Sequence, residues 1–492
     1  MFEAAELGQR VSKRTYTAAV PKLRSEVLQA HFALREARVP VIIIASGVDG
    51  AGKGEVIHRL NEWLDPRGVD TYAFWKNSDE ETERPYYWRF WKALPARGRI
   101  AILFGSWYSS PTVRRVYGKL SAGGFNRAMD RIAFFERMLV DDGALIIKLW
   151  YHLNRREQRK RIQQLEADPE SRWRILPTDK KHLKRYDTFI KVTAQVIRRT
   201  DVAYAPWHII EATDRRYREL TTGRIILRAI RERLKRDSLR SSELARQRPL
   251  PPPLRPPAKL DRVNLEARLA PTEYREELKR YQARLGRMMW EAYRKGVSNV
   301  LLFEGWDAAG KGSAIRRVTQ AIDPRLYRTV SIAAPTEEEK ARHYLWRFWR
   351  HLPRAGTSTI YDRSWYGRVL VERIEGYAEA HEWRRAYAEI NDFEEQLSEG
   401  GIVLSKFWIH ITKEEQLKRF RQRQEVPFKQ HKITDEDWRN REKWESYALA
   451  VDEMVARTST ESASWTLVAG NDKRYARVQI LKTLCRRLEK AL

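Results

Sequence analysis

Two stretches of this chain combine glycines, a carboxylate and a lysine at a spacing suited to phosphate. They are Gly47-Val48-Asp49-Gly50-Ala51-Gly52-Lys53-Gly54 and Gly305-Trp306-Asp307-Ala308-Ala309-Gly310-Lys311-Gly312. In such a Gly-x4-Gly-Lys loop the glycines let backbone N–H groups turn toward phosphate oxygens, and the lysine adds a mobile charge. The hydroxyl residue that normally follows the lysine and holds Mg2+ is Gly312 here. Asp307 offers a carboxylate inside the loop instead, the hard oxygen donor that Mg2+ prefers. Downstream, Tyr361-Asp362-Arg363-Ser364-Trp365-Tyr366-Gly367-Arg368 places a second carboxylate just ahead of two guanidinium groups. Asp307 and Asp362 are therefore candidate metal ligands, and Arg363 and Arg368 candidate phosphate clamps. A strand-end salt bridge from Asp362 to a neighbouring arginine is the structural alternative.

A basic segment follows, with Lys413, Lys418, Arg419, Arg421 and Arg423, then Lys429 and Lys432. Arg419 and Arg423 stand four apart and face one way on a helix. That spacing suits a lid over phosphates as well as it suits a solvated face. His410 and His431 lack metal-cluster spacing and read as structural, and Trp346-Arg347-Phe348-Trp349 reads as helix packing.

The elements that must position these groups occur twice. The two loops lie 258 residues apart, and the same offset pairs Asp65-Pro66-Arg67 with Asp323-Pro324-Arg325 and Trp88-Arg89-Phe90-Trp91 with Trp346-Arg347-Phe348-Trp349. It also pairs Lys148 with Lys406, His152 with His410 and Asp214 with Asp472, with no insertion between these anchors. A period this long means a duplicated domain and not a solenoid. Six prolines within 248–257 favour extended polyproline II and mark a spacer, so the domains are expected at 1–236 and 263–492 with a linker over 237–262. In the second copy 299–304, 357–361, 402–408 and 465–469 read as buried strands. Stretches 274–295 and 313–322 read as helices, as does 23–37 at the start of the first copy. Strand alternating with helix implies an α/β fold, a parallel sheet with helices on both faces.

Composition narrows the function. The 492 residues are 42% hydrophobic and 32% charged, which excludes disorder as the dominant state. No apolar run approaches the roughly 18 residues a membrane helix needs, and residues 1–13 lack the apolar core of a signal peptide. The single Cys485 suits a reducing compartment, so a cytoplasmic protein is expected. Lys plus Arg number 94 against 65 Asp plus Glu, a net +29 that attracts polyanions such as nucleic acid, anionic membrane or polyphosphate.

The Gly-x-Asp-x-x-Gly-Lys-Gly loop, the Asp-Arg-Ser-Trp-Tyr-Gly-Arg segment at 362–368 and the Lys-Phe-Trp-Ile-His run at 406–410 together resemble the polyphosphate kinase 2 family. Trp444-x-x-Tyr447 and Asn471-Asp472-Lys473-Arg474 add to the resemblance, which covers both halves. Two fused copies are similar to the subgroup that makes ADP from AMP at the expense of polyphosphate. The resemblance implies two tandem P-loop kinase-like domains, each a parallel sheet flanked by helices with a helical lid. It implies that Asp307 and Asp362 organise Mg2+ or Mn2+, and that Lys311, Arg363 and Arg368 clamp phosphoryl groups. Gly305, Gly310, Gly312 and Lys406 would bind phosphate, with Arg419 and Arg423 in the lid. The substrates would be AMP and inorganic polyphosphate, and the oligomeric state stays open, a homo-oligomer included. A nucleoside diphosphate acceptor, or an ATP-dependent kinase of a small metabolite, are the alternatives. A nucleic-acid-binding protein is disfavoured by the strand-end carboxylates and the lack of a base-reading module.

The first copy departs from this pattern. Phe104 stands opposite Asp362, Gly105 opposite Arg363, Ser110 opposite Arg368 and Leu165 opposite Arg423, while Asp49 and Lys53 remain. Such a site is expected to hold phosphate and to transfer it poorly.

Overall fold

The apolar runs that lead into the two phosphate loops become the central strands of two sheets. The computed structural model describes residues 1–170, 172–243, 259–426 and 433–492. The proline-rich stretch 248–257, Lys429, His431 and Lys432 lie outside the described residues. In the first copy the strands are β1 (Val41–Gly47), β2 (Val69–Ala73), β3 (Ile100–Phe104), β4 (Leu145–His152) and β5 (Trp207–Glu211). In the second they are β6 (Ser298–Gly305), β7 (Tyr327–Ser331), β8 (Ser358–Asp362), β9 (Ile402–His410) and β10 (Trp465–Ala469). Every pairing is parallel, in the orders β2-β3-β1-β4-β5 and β10-β9-β6-β8-β7. β1 and β6 are buried over most of their length, as strands covered on both faces must be.

The helices used below are, in the first copy, α1 (Lys13–Glu36), α2 (Lys53–Trp63) and α3 (Arg215–Glu243). In the second they are α4 (Pro271–Lys295), α5 (Lys311–Thr319), α6 (Ala380–Glu399), α7 (Lys413–Glu425), α8 (Asp435–Glu442), α9 (Trp444–Thr458) and α10 (Lys473–Ala491). α1 packs on α3 in the first unit and α4 on α10 in the second, flanking the sheets. α1 begins at Lys13 and not near 23, because Ser12 caps it by accepting the Thr15 N–H at 3.0 Å and its first turns are polar. Apolar periodicity, the signal available in the sequence, starts later. Residues 346–349 form a helical turn with Trp346, Phe348 and Trp349 buried. Among the described residues no helix is long and apolar enough to cross a membrane.

The edge strands β2 and β7 escape a search for apolar runs, since Tyr327-Arg328-Thr329-Val330-Ser331 is largely exposed. They exist because each extends a sheet along one side, β7 pairing with β8 from Tyr327 to Ser331. In both copies the chain leaves the central strand on one side and returns on the other. That reversal opens a crevice at the carboxyl ends of the central strands, where ligands bind in such sheets.

Compact packing divides the chain slightly differently from the repeat. One unit comprises Met1–Lys76, Phe90–Pro249 and Lys340–His343, and the other Asn77–Arg89, Leu250–Glu339 and Tyr344–Leu492. Within the second unit the Arg354 guanidinium donates twice to Glu83, at 2.5 and 2.9 Å. The repeat offset could not reveal this, because equivalent segments carry the same pattern whichever unit they join.

Candidate active site

The second phosphate loop connects β6 to α5. Gly305 has φ +150°, and a Cβ there would lie 2.5 Å from the Ile409 carbonyl oxygen of β9, so no other residue fits. Gly310, with φ +115°, caps α5, whose N-terminus points its free N–H groups into the loop. Gly312 lies in the first turn with open space around it. The Lys311 ammonium donates to the Gly305 and Trp306 carbonyls at 2.7 and 3.3 Å, folded onto the loop it serves.

Asp307 is held from the helices that follow β9. Asn440 on α8 donates to its Oδ2 at 2.9 Å, and Gln416 on α7 donates to its backbone carbonyl at 3.1 Å. β6 and β8 pair with Phe303 beside Asp362, which sets the second carboxylate next to the loop. The Asp362 side chain makes no hydrogen bond or ion pair within 4 Å among the described residues. Arg363 turns to Asp307, at 3.6 Å, and not to Asp362, so among the described residues the alternative of a strand-end salt bridge is absent and this carboxylate stays open. Arg363 keeps nearly half its side chain in solvent. Arg368 lies deeper, against Glu372 at 3.2 Å and Glu382 at 3.8 Å, with its guanidinium 4.5 Å over the Tyr344 ring. Arg423 is half-buried in the last turn of α7.

Two expected phosphate ligands are placed elsewhere. Arg419 is buried, and all five of its N–H donors are committed: Nε to Glu415, one terminal nitrogen to the Ala308 and Ala309 carbonyls, the other to those of Gly470 and Asn471. It ties the phosphate loop to the end of β10 from beneath and has no donor left for phosphate. Lys406 is fully buried and donates to Glu394 at 2.6 Å, the Tyr366 hydroxyl at 2.8 Å and the Thr458 carbonyl at 2.7 Å. Trp365 and Tyr366 also donate to Glu394, so this network anchors the start of the loop that follows β8. The first copy repeats it with Lys148, Glu136, Tyr108 and Thr200, which identifies it as part of the fold.

The structure adds residues that motif reading passed over. Glu304, the residue before Gly305, is 6% exposed and accepts from the Ser364 hydroxyl at 2.7 Å. Burial raises its pKa, against the pull of Ser364, Lys311 and Arg363. Trp306 stacks on Trp444 of α9 at 3.7 Å and 8°, and its indole N–H donates to His410 Nδ1 at 2.9 Å. Burial pushes the His410 ring down to about 4, so it is neutral and accepts that proton. Comparing the copies position by position would have marked most of these: Ser46, Val48, Tyr186 and His182 replace Glu304, Trp306, Trp444 and Asn440.

The first site shows what remains without them. Lys53 again donates to its loop, to Gly47 and Val48 at 2.9 and 2.8 Å. His182 takes the place of Asn440, 2.7 Å from Asp49. Burial works against the Asp49 charge, but the His182 bond and Lys53 prevail and hold its pKa below the usual value. Phe104 stands at the strand end, 37% exposed. Arg218 of α3 packs under Gly52, donating to the Ala212 carbonyl at 3.0 Å and to Glu55 of α2.

The family model described as polyphosphate kinase 2 (PPK2) matches residues 10–238 and again residues 268–492. A Pseudomonas aeruginosa protein named polyphosphate:AMP phosphotransferase is 50% identical, over 100% of this chain and 99% of its own length. An Acinetobacter johnsonii protein of the same name is 36% identical, over 95% of this chain and 96% of its own. A crystal structure from P. aeruginosa PA01 superposes with a TM-score of 0.89 at 49% identity, covering 100% of this chain and 99% of that one.

Proposed function

The chain belongs to the polyphosphate kinase 2 family, and from that premise we propose that it transfers the terminal phosphoryl group of inorganic polyphosphate to AMP, forming ADP. The observation that carries the reading is the second phosphate loop, an anion cradle with Lys311 and Arg363 beside an uncommitted carboxylate, Asp362. A phosphate oxygen of AMP attacks the terminal phosphorus in line, the bond to the bridging oxygen breaks, and polyphosphate leaves one unit shorter. Both partners are phosphates, so positioning and charge neutralisation carry the reaction without a covalent catalyst. Lys311 exchanges its loop carbonyls for phosphate oxygens, and Arg363 supplies a planar pair of donors to them. Arg368, held against Glu372 and Glu382, would add charge only by leaving those carboxylates.

The donor set fits Mg2+, with Mn2+ as its substitute. Mg2+ takes one or two carboxylates and fills its remaining positions with water and phosphate oxygens. Asp362 would supply an open carboxylate, and Asp307 the oxygen not engaged by Asn440. Bound there, the ion would neutralise charge on the donor phosphates. The buried free thiol of Cys485 suits a reducing compartment, so the reading places the protein in the cytoplasm.

The test is ADP formation from AMP, polyphosphate and Mg2+ with no nucleoside triphosphate, run beside GMP, ADP and GDP as acceptors. Asp362→Asn should lower turnover by at least ~10²-fold, the usual loss when electrostatic support is removed from a transition state. Turnover that requires ATP, or an Asp362→Asn variant near wild type, overturns the assignment.

A further inference from the structure

Arg363 has φ +64°, a left-handed conformation that a residue with a Cβ enters only with strain. The equivalent residue of the first copy is Gly105, at φ +79°, where no Cβ resists it. The turn is thus common to both copies, and only the copy with the full charge set places a side chain on it. Two bonds from the end of β6 hold the turn there. The Arg363 N–H donates to the Phe303 carbonyl at 3.1 Å, and the Ser364 hydroxyl donates to the Glu304 carboxylate at 2.7 Å.

Glu304 is a costly choice for the fold. Its carboxylate is buried, and the one hydrogen bond it accepts among the described residues comes from a neutral hydroxyl. The first copy does without it, with Ser46 in its place, although Ser106 remains opposite Ser364. The acid is therefore absent where Asp362, Arg363 and Arg368 are absent, and present where the turn is strained.

We propose that Glu304 is a positioning residue: by gripping Ser364 it holds the strained turn at Arg363, and so keeps the Asp362 carboxylate and the Arg363 guanidinium aimed at the phosphate loop. This rests on the roles given above to Asp362 and Arg363.

Glu304→Ala, Glu304→Gln, Ser364→Ala and the double alanine variant, in the full chain, test it through kcat, the KM values and Mn2+ affinity by electron paramagnetic resonance. Glu304→Ala should lower kcat by about 10- to 100-fold, the scale set by a displacement of about 1 Å at a reacting centre. Mn2+ binding should weaken with it, while the KM for AMP moves little. Glutamine keeps an oxygen that accepts from Ser364 and should restore most of both. The double variant should lose no more than Ser364→Ala alone, which removes the same bond and also the acceptor of the Tyr366 N–H at 3.3 Å. Wild-type kcat and Mn2+ affinity in Glu304→Ala, a glutamine variant as impaired as alanine, or additive losses would each overturn the proposal. If Glu304→Ala does not fold, Ser364→Ala carries the same expectations and the same refutation. Asp362→Asn separates the two ideas: near-normal turnover there defeats the site reading, whereas a dead Asp362→Asn beside a normal Glu304→Ala defeats the pin alone.

Discussion

Arg419→Met keeps much of the buried stem of this side chain and removes all five of its donors. Four backbone carbonyls, of Ala308, Ala309, Gly470 and Asn471, then lose their partner, and Glu415 loses its counter-charge. Hydrogen bonds from a charged group are worth about 1.5–3 kcal/mol each, but these share one guanidinium and do not add. Breaking a buried pair by deleting one partner costs about 3–5 kcal/mol, which is the better guide to the total. A domain of about 150–250 residues loses about 2–4 °C of melting temperature per kcal/mol, so the second unit should melt about 6–20 °C lower. Differential scanning calorimetry measures this, with kinetics taken well below the transition. Turnover should fall as well, because Ala308 and Ala309 belong to the loop proposed to cradle phosphate. A lid arginine in contact with phosphate predicts the opposite: unchanged melting, a higher KM for polyphosphate and a shallower salt dependence. That result would refute the clamp.

The two lysines should differ: Lys311→Ala nearly abolishes ADP formation, while Lys53→Ala keeps most of the turnover and at most weakens polyphosphate binding. A Lys53 variant as inactive as the Lys311 variant, assayed at saturating AMP, would bring the first site into the chemistry. His410, pushed down to about 4 by burial, binds its proton less readily in the folded protein than in the unfolded chain, where the ring titrates near 6.5. Its stabilising contribution is complete above about pH 6.5 and is lost as the pH falls from there toward 4. His410→Asn, which keeps an acceptor for Trp306, should flatten urea stability over that window, and an unchanged slope would count against it. Polyphosphate KM should rise steeply with ionic strength through counterion release, and the AMP KM much less; equal sensitivity would exclude an extended basic channel.

Local pattern along the chain accounts for one part of this protein. The 258-residue offset, the glycine-lysine loops and the buried strands at 299–304 and 402–408 follow from residue types at fixed spacing. So does the thinning of charge in the first copy, where Phe104 and Ser110 have no means of replacing Asp362 and Arg368. Tertiary structure alone decided which cations remain for a phosphate. Arg419 and Arg423 share a helix face in the sequence, yet Arg419 spends its donors on four carbonyls and Glu415, and Lys406 is sealed against Glu394. Spacing along the chain counts charges without showing their partners, and a charge already hydrogen-bonded in the interior has nothing left for a ligand. The same reason hid Asn440, which reaches Asp307 from 133 residues away, and the edge strand β7, whose residues become a strand only through the ladder β8 provides.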